Sequence, residues 1–444
     1  MKIKYTVLPV LLIALLFSST RFTSAQTPEK QSVAIRCGKL LDVKSGNLIN
    51  NAIILIQGER IKEVGTNVTI PTGTQIIDLS NATVLPGLID CHTHLLQNYD
   101  GNLGGDDPNM ILTVTQLGTT KRALLGVAMG RENLEAGITT VRDVGNSGWN
   151  GDVALRDAIN AGWVSGPRIV ASTRALSAAG GQFGEVSAVT QKIIEQEYVI
   201  ISGVEEARRA VRQAFYDGAD CIKVIVNTGS RVVSLEEMRV IVEEAHRVNK
   251  KVAAHAIGDV ATRIAAEAGV DSIEHAYTIP DDVLKMMAEK KIFLVPTDYP
   301  AEFYLEAFSP NATAEQRKQQ EAGAKMFVAS SRNRVQRAIK AGVRIAAGSD
   351  EYYKIPGKTR GQASLLMFRA YADDGMSPLE IIRSATVNAA ELLGWQNRVG
   401  AIEVNKFADI IAVEGDPLKD IKELEQVKFV MKGGTVIKNE ISRK

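Results

Sequence analysis

Cysteine is scarce in this chain: Cys37, Cys91 and Cys221 are the only three among 444 residues. So few, and an odd number, cannot build a disulfide framework, so an apolar core must hold the fold. Cys91 and Cys221 fall in apolar runs, where a thiol serves as a small core residue. A surplus of either charge is also lacking. Lysine and arginine number 52 against 51 acidic residues, a formal net charge of +1, and no basic footprint for nucleic acid stands out. Aromatic residues make up 5% of the chain. No G-x-G-x-x-G follows a strand pattern and no Walker loop occurs, so a nucleotide cofactor has no fingerprint here. What is present is a globular composition, 45% hydrophobic and 23% charged, enough for a sizeable core.

The amino terminus reads as an export signal over residues 1–25. Lys2 and Lys4 form a charged start, Thr6 to Phe17 is an apolar stretch of 12 residues, and Thr23-Ser24-Ala25 offers a small-residue cleavage site. A membrane-spanning helix needs roughly 20 apolar residues, so this run is too short to anchor the chain. The expectation is a secreted or periplasmic protein, cut near Ala25, with no membrane association after signal removal.

Short alternating segments such as Ala52-Ile53-Ile54-Leu55-Ile56, separated by turns, read as strands over 26–82. The pattern returns over 396–444, in Ala408-Asp409-Ile410-Ile411-Ala412-Val413 and Val427-Lys428-Phe429-Val430-Met431. Each piece is near the size at which an independent core becomes marginal, so a small β-sandwich built from both chain ends is expected. Between them, residues 83–395 alternate strand and helix eight times, with strands beginning near Thr83, Ile138, Arg168, Cys221, Lys251, Ser272, Ile292 and Arg344. Continuous apolar runs suit parallel strands buried on both faces. An α/β fold, a (β/α)8 TIM barrel, follows from eight such units over this length. The clearest helix starts at Ser234, where Glu237 completes a capping box.

The run Pro86-Gly87-Leu88-Ile89-Asp90-Cys91-His92-Thr93-His94 ends in two histidines at i, i+2. On a strand that spacing puts both imidazoles on one face, the start of a transition-metal site. In a barrel, catalytic residues come from the carboxyl ends of different strands. Those ends supply His92 and His94, Lys223, His255, His275 and Asp350. Four of the five histidines sort to such ends, while His246 falls on the outer face of a helix.

These segments, together with Ile222-Lys223-Val224, Ala253-Ala254-His255-Ala256, Ser272-Ile273-Glu274-His275 and Ala347-Gly348-Ser349-Asp350, resemble the metal-ligand motifs of the amidohydrolase superfamily. The similarity runs from about Ser32 to the end, closest to the branch of imidazolonepropionase-like proteins and secreted prolidase-type dipeptidases. The resemblance implies two divalent ions, usually zinc. His92, His94 and Asp350 would hold one and His255 and His275 the other, bridged by a carboxylated Lys223. A protonated lysine has no lone pair, whereas burial depresses its pKa and frees the amine to take up carbon dioxide. The alternative for Lys223 is a buried ammonium paired with Asp350. Two ions would acidify a shared water, and Asp350 would act as the catalytic base and then acid for the leaving nitrogen.

Around this set, Asp143 could orient a ligand histidine or pair with a nearby cation. Gln182, in the glycine-rich Gly180-Gly181-Gln182-Phe183-Gly184, stands where relatives often carry histidine. Arg231 could clamp a substrate carboxylate, and Tyr299 and Arg360 are further substrate-contact candidates near strand ends. The expected function is an exported metal-dependent hydrolase of amide bonds in dipeptides or N-acyl amino acids, with a small-molecule or peptide partner and no nucleic acid. Cyclic amides, lactones or phosphoesters are alternative substrates, and a non-catalytic binding protein on the same scaffold is the alternative of another class. Family members often assemble, which admits a homo-oligomer, although no heptad marks an interface.

Overall fold

A computed structural model describes residues 32–187 and 190–442. The export segment and its cleavage site lie outside the described residues. The first five strands are β1 (Ser32–Leu41), β2 (Leu48–Asn50), β3 (Ile53–Gln57), β4 (Arg60–Gly65) and β5 (Gln75–Pro86). β1 pairs antiparallel with β3 and parallel with β5.

Gly87 separates β5 from a run of parallel strands. β6 (Leu88–Thr93), β7 (Ile138–Asp143) and β8 (Arg168–Ala171) form one three-stranded sheet. Next come β9 (Ala175–Ser177), β10 (Tyr198–Ile200) and β11 (Cys221–Ile225), then the hairpin β12 (Asn227–Thr228) and β13 (Arg231–Val232). They are followed by β14 (Lys251–Ala256), β15 (Ser272–His275) and β16 (Phe293–Val295). A six-stranded sheet runs in the order β10-β9-β11-β14-β15-β16, with every pairing parallel. All residues of β6, β7, β11 and β15 are buried, as continuous apolar runs require when helices cover the sheet. The helix Leu235–His246 begins with the capping box expected at Ser234 and Glu237.

The first strand of this series starts at Leu88 rather than Thr83, because Thr83 to Pro86 complete β5 and pair with the far end of the chain. The expected eighth strand is not a regular one. Its place is taken by Arg344 to Asp350, which makes a bridge at Ile345 to Leu294. Ala347 O accepts from Cys91 N at 2.8 Å, and Asp350 N donates to His92 O at 2.7 Å. Ala346, Ala347 and Gly348 have little strand propensity, and single backbone bonds hold this segment between β16 and β6. On the opposite side Asp220 N, just before β11, donates to Ala171 O of β8 at 2.7 Å.

The chain ends on β17 (Ile410–Val413), β18 (Phe429–Lys432) and β19 (Thr435–Asn439). β17 lies antiparallel to β5, so both ends of the chain enter one eight-stranded sheet, β19-β18-β17-β5-β1-β3-β4 with β2 on β1. The hydrogen bonds connect these strands into one continuous sheet, and its β4 edge meets the segment before β17 through the Arg60–Phe407 bridge. Ile35, Ile54, Ile56, Val84, Ile410, Phe429 and Met431 form its own buried cluster, each worth roughly 1.5–3 kcal/mol on burial. Arg168 ties the two regions together. It donates to both oxygens of Asp409, at 2.7 and 3.0 Å, and lies 3.5 Å above the Phe407 ring.

Gly348 sits where the backbone passes closest to the first strand. A Cβ there would lie 2.3 Å from Val295 Cγ1 and 2.8 Å from His92 Cβ. Gly348→Ala is therefore expected to destabilise the protein by about 1–3 kcal/mol through overpacking. A lowered chemical-denaturation midpoint would show this, and an unchanged midpoint would mean the contact yields freely.

Candidate metal centre

The strand ends converge as the period-two argument requires. His92 and His94 leave β6, Lys223 belongs to β11, His255 to β14 and His275 to β15, and Asp350 follows the Gly348 contact. All six line one cavity of about 990 Å³. His94 Nε2 lies 3.1 Å and His92 Nε2 3.5 Å from Asp350 Oδ1, and His275 Nδ1 is 3.7 Å from Asp350 Oδ2. Lys223 Nζ is 3.3 Å from His92 Nε2. The His255 and His275 ring centroids are 4.7 Å apart, and those of His92 and His275 are 5.0 Å apart. His92, His275 and Asp350 offer ligand atoms that all fall within 4.8 Å of one another.

Each ring is oriented from behind. His92 Nδ1 donates to Glu274 Oε2 at 2.7 Å, so its Nε2 carries the lone pair facing the cavity. Glu274 is fully buried and accepts from Arg142 at 2.8 Å and from the Ser272 hydroxyl. Arg142 also donates to Cys91 O at 2.6 Å and Ser272 Oγ at 3.1 Å. His94 Nδ1 donates to Gly145 O at 2.8 Å, a carbonyl presented by a backbone at φ 106° that favours glycine.

The electrostatics suit metal ligation. Burial keeps His92 and His275 neutral well below the usual histidine range, and takes His255 down to about 3. Burial also lowers Lys223 to about 8, which brings the free amine within reach of neutral pH. For Asp350 burial opposes ionisation, but the positive charge that the facing His92, His94 and Lys223 present when protonated holds its carboxyl below the usual range. Neutral imidazoles, a carboxylate and a deprotonatable amine make a nitrogen–oxygen donor set that fits zinc or a similar divalent ion.

The other nominated residues sort differently. Gln182 lines the cavity, its Oε1 accepting from the Tyr198 hydroxyl at 3.0 Å. Arg231 is not at the cavity surface: its guanidinium donates to Ala179 O at 3.0 Å and Phe183 O at 2.7 Å, propping the glycine-rich loop. Arg360 is buried and donates to Glu351 O and Gln97 O, both at 2.7 Å. Tyr299 is buried against Phe303, with centroids 3.7 Å apart. None of the three is among the residues lining the cavity; loop carbonyls take up the guanidinium groups of Arg231 and Arg360, while the buried Tyr299 hydroxyl has no hydrogen-bond partner. Asp143 touches no ligand imidazole; it accepts from Leu95 N at 2.7 Å and Ser147 Oγ at 2.8 Å, fixing the turn after His94. The histidine-orienting carboxylate is Glu274, which the sequence reading passed over. A carboxylate in a wholly buried strand demands a partner, and that was the available signal. Also missed was the outer wall of the cavity, where Tyr304, Phe308 and Phe327 come from the helices Ala301–Phe308 and Ala314–Lys340 and join Tyr277 and Tyr352.

Glu274→Gln should weaken divalent-metal affinity about 10- to 100-fold, the usual effect of losing a ligand's supporting carboxylate. Metal content after dialysis against a graded chelator would check this, and wild-type retention would show that Glu274 does not set the His92 geometry.

A profile of the amidohydrolase family matches residues 83–437. Ochratoxinase from Aspergillus niger is 34% identical over 448 aligned residues, covering 93% of this chain and 88% of its own length. Imidazolonepropionase from Fusobacterium nucleatum is 24% identical, covering 81% and 84%. Among solved structures, a Xaa-Pro dipeptidase with methionine bound in its active site superposes with a TM-score of 0.78 at 30% identity, covering 92% of this chain and all of that one. The metal-ligand arrangement and these matches agree: the chain belongs to the amidohydrolase family and is a hydrolase acting on carbon–nitrogen bonds.

Proposed function

We propose that this protein hydrolyses the amide bond of dipeptides or N-acyl amino acids that carry a bulky aromatic group. The observation that carries this reading is the single cavity: six ligand-type side chains line it, and aromatic side chains form its outer wall. Burying an aromatic group against such a wall contributes area and favourable edge-to-face contacts. The names of the relatives, an ochratoxinase and a Xaa-Pro dipeptidase, agree with amide substrates of this kind. A cyclic amide of the imidazolonepropionase type would leave much of a 990 Å³ cavity unfilled.

In this reading His92, His94 and Asp350 would hold one divalent ion, His255 and His275 would hold a second, and Lys223 would contribute as its carbamate. Two bound ions would supply Lewis acidity and a water acidic enough to deprotonate near neutral pH. The chain's own contribution is positional. The neutral imidazoles keep their lone pairs free. Asp350 accepts the proton of the attacking water and returns it to the amide nitrogen, which leaves as an amine only once protonated. The aromatic wall excludes water from the acyl side. The reading also takes 83–395 as a (β/α)8 barrel, with 26–82 and 396–444 as the adjoining β domain, and the whole as an exported enzyme.

The mature chain should cleave N-acyl-phenylalanine and aromatic dipeptides faster than cyclic amides or lactones, with two metal equivalents measured in parallel. Asp350→Asn should abolish turnover while much of the metal stays bound. Turnover by that variant at the wild-type rate would remove the shuttle role, and a preference for lactones would redirect the substrate assignment. Export is checked by mass spectrometry of the protein recovered outside the cytoplasm. A mature chain beginning near Gln26 is expected, and an intact Met1 terminus would refute cleavage.

A further inference from the structure

Three non-glycine residues adopt left-handed backbone where β15 and β16 end: His275 (φ 67°), Ala276 (φ 50°) and Thr297 (φ 59°). Thr297 is the most unusual, because a β-branched side chain is crowded in that region. Strain of this kind persists only where the surroundings hold it in place, and it clusters at functional sites. Arg334 supplies much of that hold. It is buried, donating to the His275 carbonyl and to the carboxylate of Asp298, the residue after Thr297.

The strained turn puts the Thr297 hydroxyl at the meeting point of three hydrogen bonds. Its oxygen is 2.7 Å from Pro296 O, 2.8 Å from His275 Nδ1 and 3.3 Å from the Tyr277 hydroxyl. A threonine hydroxyl has one proton to give and two lone pairs to accept with. The Pro296 carbonyl can only accept, so it takes the Thr297 proton. Both remaining contacts must then be donated to Thr297. His275 Nδ1 therefore bears a hydrogen, and the neutral ring keeps its lone pair on Nε2. The Tyr277 proton points to Thr297, which leaves the phenol oxygen, on the cavity wall, only acceptor capacity for a bound molecule.

We infer that Thr297 is a positioning residue that selects the tautomer of His275, presenting Nε2 to a metal ion, and that it fixes the Tyr277 phenol as an acceptor toward substrate. The metal clause rests on the reading of the six side chains as ligands; the tautomer clause does not. His92 and His94 are oriented by a carboxylate and a carbonyl, groups that can only accept. At His275 the acceptor is a hydroxyl, whose direction is set in turn by Pro296.

Two measurements test this. Nitrogen NMR on the metal-free full chain with labelled histidine has five rings to resolve, and a His275→Asn variant assigns the signal. The Nδ1–H tautomer is expected for His275, and an Nε2–H tautomer would overturn the inference. Zinc affinity is then compared by chelator competition: Thr297→Val should bind about 10- to 100-fold more weakly, as losing a ligand's supporting partner does elsewhere, and Thr297→Ser should bind as wild type does. A valine variant with native circular dichroism and unchanged zinc affinity would equally overturn it. Should that variant fail to fold, the tautomer of the wild-type chain decides alone. Wild-type protein that binds no zinc would sink the metal reading and, with it, the metal clause, while the tautomer result would still judge the proton assignment.

Discussion

A buried ion pair between Arg142 and Glu274, 2.8 Å apart and fully withdrawn from solvent, underlies the order of the whole centre. Taking two such charges out of water costs several kcal/mol per ion even after relaxation. Here the cost is offset by saturation of the pair: the guanidinium also meets Cys91 O and Ser272 Oγ, and the carboxylate meets Ser272 Oγ and His92 Nδ1. The pair links β6, β7 and β15, and its outermost bond decides which nitrogen of His92 faces the cavity. Removing either charge would strand the other in a dry interior, a loss of about 3–5 kcal/mol. The orientation of His92 is in this way tied to the stability of the strands.

A second constraint is the shape of the backbone at the strand ends. His275, Ala276, Thr297 and Asp350 all have positive φ, a conformation that costs about 1–3 kcal/mol per residue. A strand that continued regularly would carry alternate side chains to opposite faces. Turning sharply at its end lets His275 and Asp350 face a common point while the chain moves on into the next loop.

Much of this was legible in the sequence, for identifiable reasons. The i, i+2 pair His92 and His94, the lysine within Ile222-Lys223-Val224 and the histidines closing two apolar runs each sit at a position where periodicity alone fixes the direction of the side chain. The joining of the chain ends was also legible, since neither set of short strands could bury its apolar face unaided. The functions of Arg231, Arg360 and Tyr299 were not. Their partners are loop carbonyls or a neighbouring ring, and no local pattern announces which carbonyl will lack a donor. The histidine-orienting role expected of Asp143 falls to Glu274 for a similar reason. Both are buried acids at or near strand ends, and only the packing of β6 against β15 determines which one meets an imidazole. The aromatic wall was invisible because its members lie far apart in helices with mixed composition.

The buried residues of the helix Ala314–Lys340 are Ser331, Arg334, Val335 and Ala338, all within its last ten positions. Gln320, Gly323, Ala324 and Phe327, which face the cavity, lie on the more exposed stretch before them, where Phe327 packs edge-on against Tyr277 and Tyr304. Chemistry and selectivity are thus housed in regions with different tolerance for change. Substitutions on this exposed stretch alter what the enclosure admits while leaving the buried strands alone, so descendants of this scaffold can acquire new substrates without rebuilding the apparatus that breaks the bond.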